Sequence, residues 1–289
     1  MPADYKRELL ALREFGKIGP KTFQQFLIQF GSPEEILSAT AEELSVLPRI
    51  TPEKARAVAE CRERLGEADK MLAGLQSNDI GLCTIMDEGY PALLRQIDDP
   101  PYLLYYRGEF PLAENIPTIG IVGTTQPSEA GIASAVALGK GIASRRGVVV
   151  SGLAKGIDAS GHIGALASQG KSLAILGSGL NSIYPPENSS LAETLAQNGA
   201  VISEYSPFAE VNRGRLLARN RIIVGLSQAL ILVEETPDTV GTANAPLRAL
   251  DLSRPLFVVG NGSPDSVWLE RGALPLSGVD ELDLVLKYL

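Results

Sequence analysis

The 289-residue chain is 45% apolar and 21% charged, a composition that fits a soluble intracellular protein. No apolar run is long enough to span a bilayer and no signal-peptide pattern follows Met1-Pro2-Ala3, so a cytoplasmic location without membrane attachment is expected. A formal net charge of -8 argues against a broad, non-specific polyanion surface, because binding to a nucleic-acid backbone depends on Lys and Arg neutralising phosphates, but it leaves room for a local basic site.

Residues 5–15 carry apolar side chains at helical spacing. Lys17-Ile18-Gly19-Pro20-Lys21-Thr22 then forms a tight turn into Phe23, Phe26, Leu27 and Phe30, a helix-hairpin-helix pattern. Such a turn can present backbone N–H groups to a phosphate, with Gly19 allowing close approach, or it can serve only to connect packed helices. A second copy at 47–55 has Arg49 and Thr51 where glycines are expected, and reads as a packing element. Cys61 and Cys83 lack metal-ligand spacing and read as buried reduced thiols. From Cys83 to Gly108 the chain reads as an extended connector, in which Tyr102, Tyr105 and Tyr106 would suit a short strand packed between domains or a platform for stacking bases. Turn-rich residues 108–117 separate two sequence textures. The expected organisation is a helical domain at 1–80, a connector at 81–112 and a second domain at 113–289.

In that second domain strands are expected at 118–122, 148–151, 172–176, 200–203, 229–233 and 256–259, several apolar throughout as in strands buried on both faces. Helical patterns at 131–145, 158–169, 189–197, 213–226 and 242–252 alternate with them. This predicts an α/β fold with a doubly wound parallel sheet. Three strands run into glycine loops that should share one sheet edge: 123–128, 151–156 and 177–181. The first lacks the G-x-G-x-x-G spacing and there is no Walker-type Gly-Lys-Ser/Thr, so dinucleotide binding and ATP hydrolysis lose ground. The run Ser151 to His162 breaks from a β-branched strand into a glycine turn and a helix, a geometry that offers N–H groups to an anion. Asp158 near the helix start reads as a cap, and His162, the single histidine, lies four residues on along the same face, as a buried structural pair with it. Arg213, Arg215, Arg219 and Arg221 form the densest basic cluster, either a phosphate site or a solvated face.

These stretches resemble the DNA-processing protein A (DprA/Smf) family of natural transformation. The matching residues are Ile121-Val122-Gly123-Thr124, the Ser151 to His162 run with Gly164-Ala165-Leu166, Leu176-Gly177-Ser178-Gly179-Leu180, and Tyr184-Pro185-Pro186-Glu187-Asn188. Further on come Ser203-Glu204-Tyr205, Arg219-Asn220-Arg221-Ile222-Ile223-Val224-Gly225-Leu226-Ser227 and Val233-Glu234. The resemblance implies an extended Rossmann-like sheet preceded by a small helix-hairpin-helix/SAM-like domain. It implies a non-catalytic homodimer that binds single-stranded DNA, protects incoming strands and helps load the RecA recombinase, with no cofactor or metal. The residues assigned to DNA or phosphate are Gly123, Thr124, Ser128, Ser151, Gly152, Lys155, Gly156, Gly177, Gly179, Asn188, Arg219, Asn220 and Arg221, with Asp158 and His162 as structural support.

Two departures from the family pattern stand out. Thr125-Gln126 replaces an arginine expected to contact DNA, a loss of about 1.5–3 kcal/mol of charge-assisted binding. Thr239-Val240-Gly241-Thr242-Ala243-Asn244-Ala245-Pro246 replaces a Ser-Gly-Ser turn. The sequence, ending at Leu289, is expected to lack the winged-helix domain that many relatives append. Two rival readings remain on the same scaffold: a small-nucleotide sensor, and a nucleoside-monophosphate phosphoribohydrolase, whose Gly-Gly-x-Gly-Thr turn Gly241-Thr242 faintly echoes without a following glutamate before Arg254.

Overall fold

The computed structural model describes residues 5–111, 115–235, 240–260 and 267–289, the side chains of 240–242 excepted. The altered turn at Thr239 to Thr242 thus lies outside the residues whose side chains are described, as do Leu112, Ala113 and Glu114 of the expected junction. By internal contacts the chain divides into two compact units, residues 1–90 with 98–105 and residues 91–97 with 106–289.

In the first unit, helices Lys6–Glu14, Pro20–Phe30, Pro33–Ser38, Ala41–Ser45, Pro52–Ala59 and Leu65–Gln76 bury Leu9, Leu10, Phe23, Phe26, Ile36, Leu44 and Val58. Local chemistry sets the helix starts. Pro20, Pro33 and Pro52 stand where the N–H has no helical partner, Ser32 and Thr51 accept from Glu35 and Lys54 N–H, and Thr40 with Glu43 closes a reciprocal capping box. In the second hairpin Arg49 takes the left-handed conformation expected of a glycine, at φ 68°, while Thr51 caps the next helix. Tyr90 donates to the Pro101 carbonyl at 2.7 Å, Tyr102 donates to the Ile18 carbonyl at 3.1 Å and stacks on Phe23, and Tyr105 donates to Glu14 at 2.8 Å. All three rings are buried, which removes Tyr102 and Tyr105 from a base-stacking platform, while Tyr106 is half-buried and edge-on to Phe110.

The second unit carries parallel strands β1 (Thr118–Val122), β2 (Val148–Ser151), β3 (Ser172–Leu176), β4 (Gly199–Ser203), β5 (Ala229–Leu232), β6 (Leu256–Val259) and β7 (Leu274–Leu276). They lie in the order β4-β3-β2-β1-β5-β6-β7, with registers such as Ile119 opposite Val149 and Ile121 opposite Ile231. This is the doubly wound, Rossmann-like arrangement the β/α alternation predicts, and the strand order reverses between β1 and β5. The crossovers use α1 (Glu129–Ser144), α2 (Ile157–Ala167), α3 (Ser189–Gln197), α4 (Arg213–Ala218), α5 (Asn220–Leu226) and α6 (Val240–Asp251). Ile119, Ile121, Leu138, Ile142, Val149, Ile231 and Phe257 form the core between the sheet and helices of one layer. There α1 and α2 meet almost backbone to backbone: a Cβ on Gly139 would stand 2.2 Å from the Gly161 carbonyl oxygen.

Two expectations need correction. The helix expected over 213–226 is interrupted at Arg219, whose carbonyl accepts from Ile222 N–H at 2.9 Å in a tightened turn. Strand β7 went unforeseen because Leu-Pro-Leu has a proline at its centre, a residue confined to sheet edges, and β7 is the terminal strand on its side.

His162 is fully buried on α2 and bonds through Nδ1 to the Ser172 hydroxyl at 2.7 Å, not to Asp158 as its spacing suggested. Ser172 Oγ itself donates to the Val149 carbonyl at 3.0 Å, which assigns the imidazole proton to Nδ1. Burial pushes the imidazole down from its ordinary 6.5 to about 3, with Arg219 adding to the effect, so the ring is neutral in the fold. Between those two values the unfolded chain binds a proton here that the folded chain does not, and stability falls as pH falls through the window. We expect urea unfolding to show about 1.4 kcal/mol lost per pH unit below the ordinary histidine value from this group. The loss between pH 7 and 5 should flatten in His162→Gln; an unchanged slope in that variant would refute the assignment.

Candidate functional site

A crevice of about 480 Å³ opens at the carboxyl ends of β1 and β2, beside the reversal of strand order where open α/β sheets place their ligands. Its walls are Gly123, Thr124 and Thr125 after β1, Gly152, Ala154, Lys155 and Asp158 after β2, Tyr184 and Pro185, Leu216, Leu217, Arg219, Asn220 and Ile223 from α4 and α5, and Ala245. Of the residues assigned to phosphate from sequence, the crevice brings together Gly123, Thr124, Gly152, Lys155, Arg219 and Asn220.

The glycine turn after β2 does what its N–H groups favour, but with an internal anion. Asp158, in the first turn of α2, accepts from Gly152 N–H at 3.2 Å and Ala154 N–H at 3.4 Å through Oδ2. The same oxygen lies 3.5 Å from Arg219 Nη2. Asp158 therefore caps the loop and not, as its position had suggested, the helix: the helix N-cap is Gly156, without a side-chain cap bond, and the donors of Gly152 and Ala154 are occupied. Arg219 also donates through Nη1 to the Ile175 carbonyl at 3.1 Å. Its guanidinium lies against Gly152, where a Cβ would stand 1.1 Å from Nη1, so this glycine is required by close approach. Burial pushes the Asp158 carboxyl up and the Arg219 guanidinium down, each partly offset by the other's opposite charge. Lys155 is exposed and ion-paired with Glu187, which raises the amine and lowers the carboxyl. Asn220 donates to Asn244 Oδ1 at 3.2 Å.

The other assigned residues lie off the crevice wall. Ser128 caps α1 through Gly131 N–H and donates to Glu234 at 2.8 Å. The Ser151 hydroxyl is buried and ties β2 to β1 through the Ile121 carbonyl at 2.6 Å. Gly156 opens α2 at φ 77°. The third glycine loop turns inward, Gly177 against Leu216, while Gly179 N–H donates to the Ala209 carbonyl at 2.8 Å. Asn188 donates to the Leu153 carbonyl at 2.9 Å. Arg221 is buried and paired with Glu204 at 2.7 Å, so it joins α5 to the end of β4 and does not face the crevice. Sequence reasoning missed the apolar wall of Tyr184, Pro185, Leu216, Leu217 and Ile223. Its signal was there, since 216, 219, 220 and 223 share one helical face. Among the described residues no group of His, Cys, Asp and Glu could hold a metal ion, and no helix is long and apolar enough to cross a membrane.

Residues 81–272 match the family model described as DNA recombination-mediator protein A. Protein Smf of Synechocystis is 41% identical over 182 residues, which cover 62% of this chain and 45% of that protein's length. The structure of DNA processing protein A from Streptococcus pneumoniae superposes with a TM-score of 0.81 at 26% identity, covering 98% of both chains. That of DNA processing protein A from Helicobacter pylori, solved for its single-stranded DNA binding mode, gives a TM-score of 0.64 at 27% identity over 72% of this chain and 96% of its own. The chain belongs to the DNA recombination-mediator protein A family, the DprA/Smf proteins.

Proposed function

We propose that this protein binds single-stranded DNA along the crevice at the carboxyl edge of its sheet, without turning the strand over chemically. The observation that carries the reading is the crevice itself, whose walls combine an exposed cation, glycine-loop backbone and an apolar face, in a fold shared with a relative studied for binding single-stranded DNA. A strand's phosphates would lie along the Gly123 to Thr125 rim and the Lys155 amine. Its bases would lie on Tyr184, Leu216 and Leu217, contacts that tolerate any sequence because every base has an apolar face. Arg219 supports this surface through its field and by shaping the loop at Gly152. Thr125 stands on the wall where the family's arginine is expected, so the phosphate attraction falls mainly on Lys155. Protection of incoming strands, loading of RecA, a homodimeric state and a cytoplasmic location complete the proposed role in natural transformation, on the strength of family membership.

Fluorescence anisotropy with labelled oligo(dT) at two salt concentrations tests the reading. Lys155→Ala should weaken binding, because it removes the exposed cation and leaves the Glu187 carboxylate facing the strand. Arg219→Ala should also bind more weakly. Equal affinity of both variants and wild type would sink the site, and no binding at low salt would sink the function. Arg221→Lys, away from the crevice, should leave the salt slope unchanged yet lower Tm by about 4 °C through a poorer buried pair with Glu204. Incubation with nucleoside monophosphates should release no free base; release would favour the hydrolase reading instead.

A further inference from the structure

Lys155 bears most of the crevice's attraction for phosphate, yet its amine is already engaged by a carboxylate of the same chain. Glu187 sits on the single helical turn Pro186–Asn188, directly after the crevice-lining Tyr184 and Pro185. That turn is fastened to the glycine loop by Asn188, whose amide donates to the Leu153 carbonyl at 2.9 Å, two residues before Lys155. Glu187 is therefore held opposite Lys155 by a backbone latch. Both side chains remain half exposed, at 59% and 50%, so the pair is open to exchange with solutes. An exposed pair of this kind is weak enough to be displaced by a polyanion.

We propose that Glu187 is a displaceable counter-charge that occupies the phosphate position at Lys155 until a strand replaces it. This rests on the reading of the crevice as a single-strand site. A phosphate reaching Lys155 exchanges one anion for another, so this contact releases little bound salt and adds less affinity than a free lysine would. Removing the charge of Glu187 while keeping its shape leaves Lys155 open, and the incoming strand no longer meets a carboxylate at the rim.

The test is oligo(dT) anisotropy across a salt series with wild type, Glu187→Gln, Lys155→Ala and Glu187→Gln combined with Lys155→Ala. Glu187→Gln is expected to bind about two- to fivefold tighter, with a salt slope steeper by about 0.7. The steepening should vanish in the Lys155→Ala background, because it needs this amine, even where loss of the carboxylate's repulsion leaves a gain in affinity. Wild-type affinity in Glu187→Gln, or an equal steepening of the salt slope without Lys155, overturns the counter-charge while leaving the strand-binding reading in place. If none of the four proteins binds, both fall.

Discussion

The crevice is organised around one buried carboxylate. Asp158 enters α2 at the point where helix dipole and loop N–H groups converge, a place that would otherwise attract an external anion. Its bonds to Gly152 and Ala154 fix the loop after β2, and its charge holds Arg219 against the bare backbone of Gly152. Arg219 then reaches the Ile175 carbonyl on β3, while Ser151 ties β2 to Ile121 on β1. Three adjacent strand ends are thus linked by polar contacts buried among the described residues. Such a network is costly to break because each member would be left desolvated.

The same arrangement decides how charge is distributed. Both basic side chains on the wall, Lys155 and Arg219, face carboxylates of the chain itself, Glu187 and Asp158. The two pairs differ in depth. Arg219 and Asp158 are each only 7% exposed at the side chain and act as a fixed dipole, whereas Lys155 and Glu187 stand in solvent and can rearrange. A site of this kind does not draw polyanions by net charge, which the whole-chain value of -8 would oppose. Beside these pairs the apolar wall of Leu216, Leu217 and Tyr184 offers contact that salt does not screen.

Much of this was legible in sequence, and the failures share a cause. Strands buried on both faces announce themselves as unbroken apolar runs, so β1, β2, β3 and β6 were found with their observed bounds. Leu274–Leu276 was not, because a proline masks an edge strand that needs few ladder bonds. The Ser151 to His162 run reads in sequence as a cradle for an external anion, but in the fold the Gly152 and Ala154 N–H groups are taken by Asp158, already inside the run. His162 has the spacing to face Asp158, yet its partner, Ser172, comes from β3. Spacing along a helix fixes which side chains share a face; it does not say what the neighbouring strand brings to them.

The Arg219-Asn220-Arg221 stretch shows the same limit at its sharpest. Residues two apart on a helix point in nearly opposite directions, so both arginines could not line one crevice. Arg219 falls on the face shared with Leu216 and Ile223, and Arg221 on the face toward Glu204. Counting cations along the chain therefore overstates the exposed charge, since both arginines are buried and paired. The Arg221–Glu204 pair instead fixes α5 to the end of β4, and α5 carries Ile223 into the crevice wall. One arginine shapes the surface from within the crevice, the other by anchoring the helix behind it, and the burial that equips them for these tasks withdraws them from solvent. Among the described residues of this wall the exposed cation is Lys155, and the carboxylate that faces it, Glu187, is exposed with it.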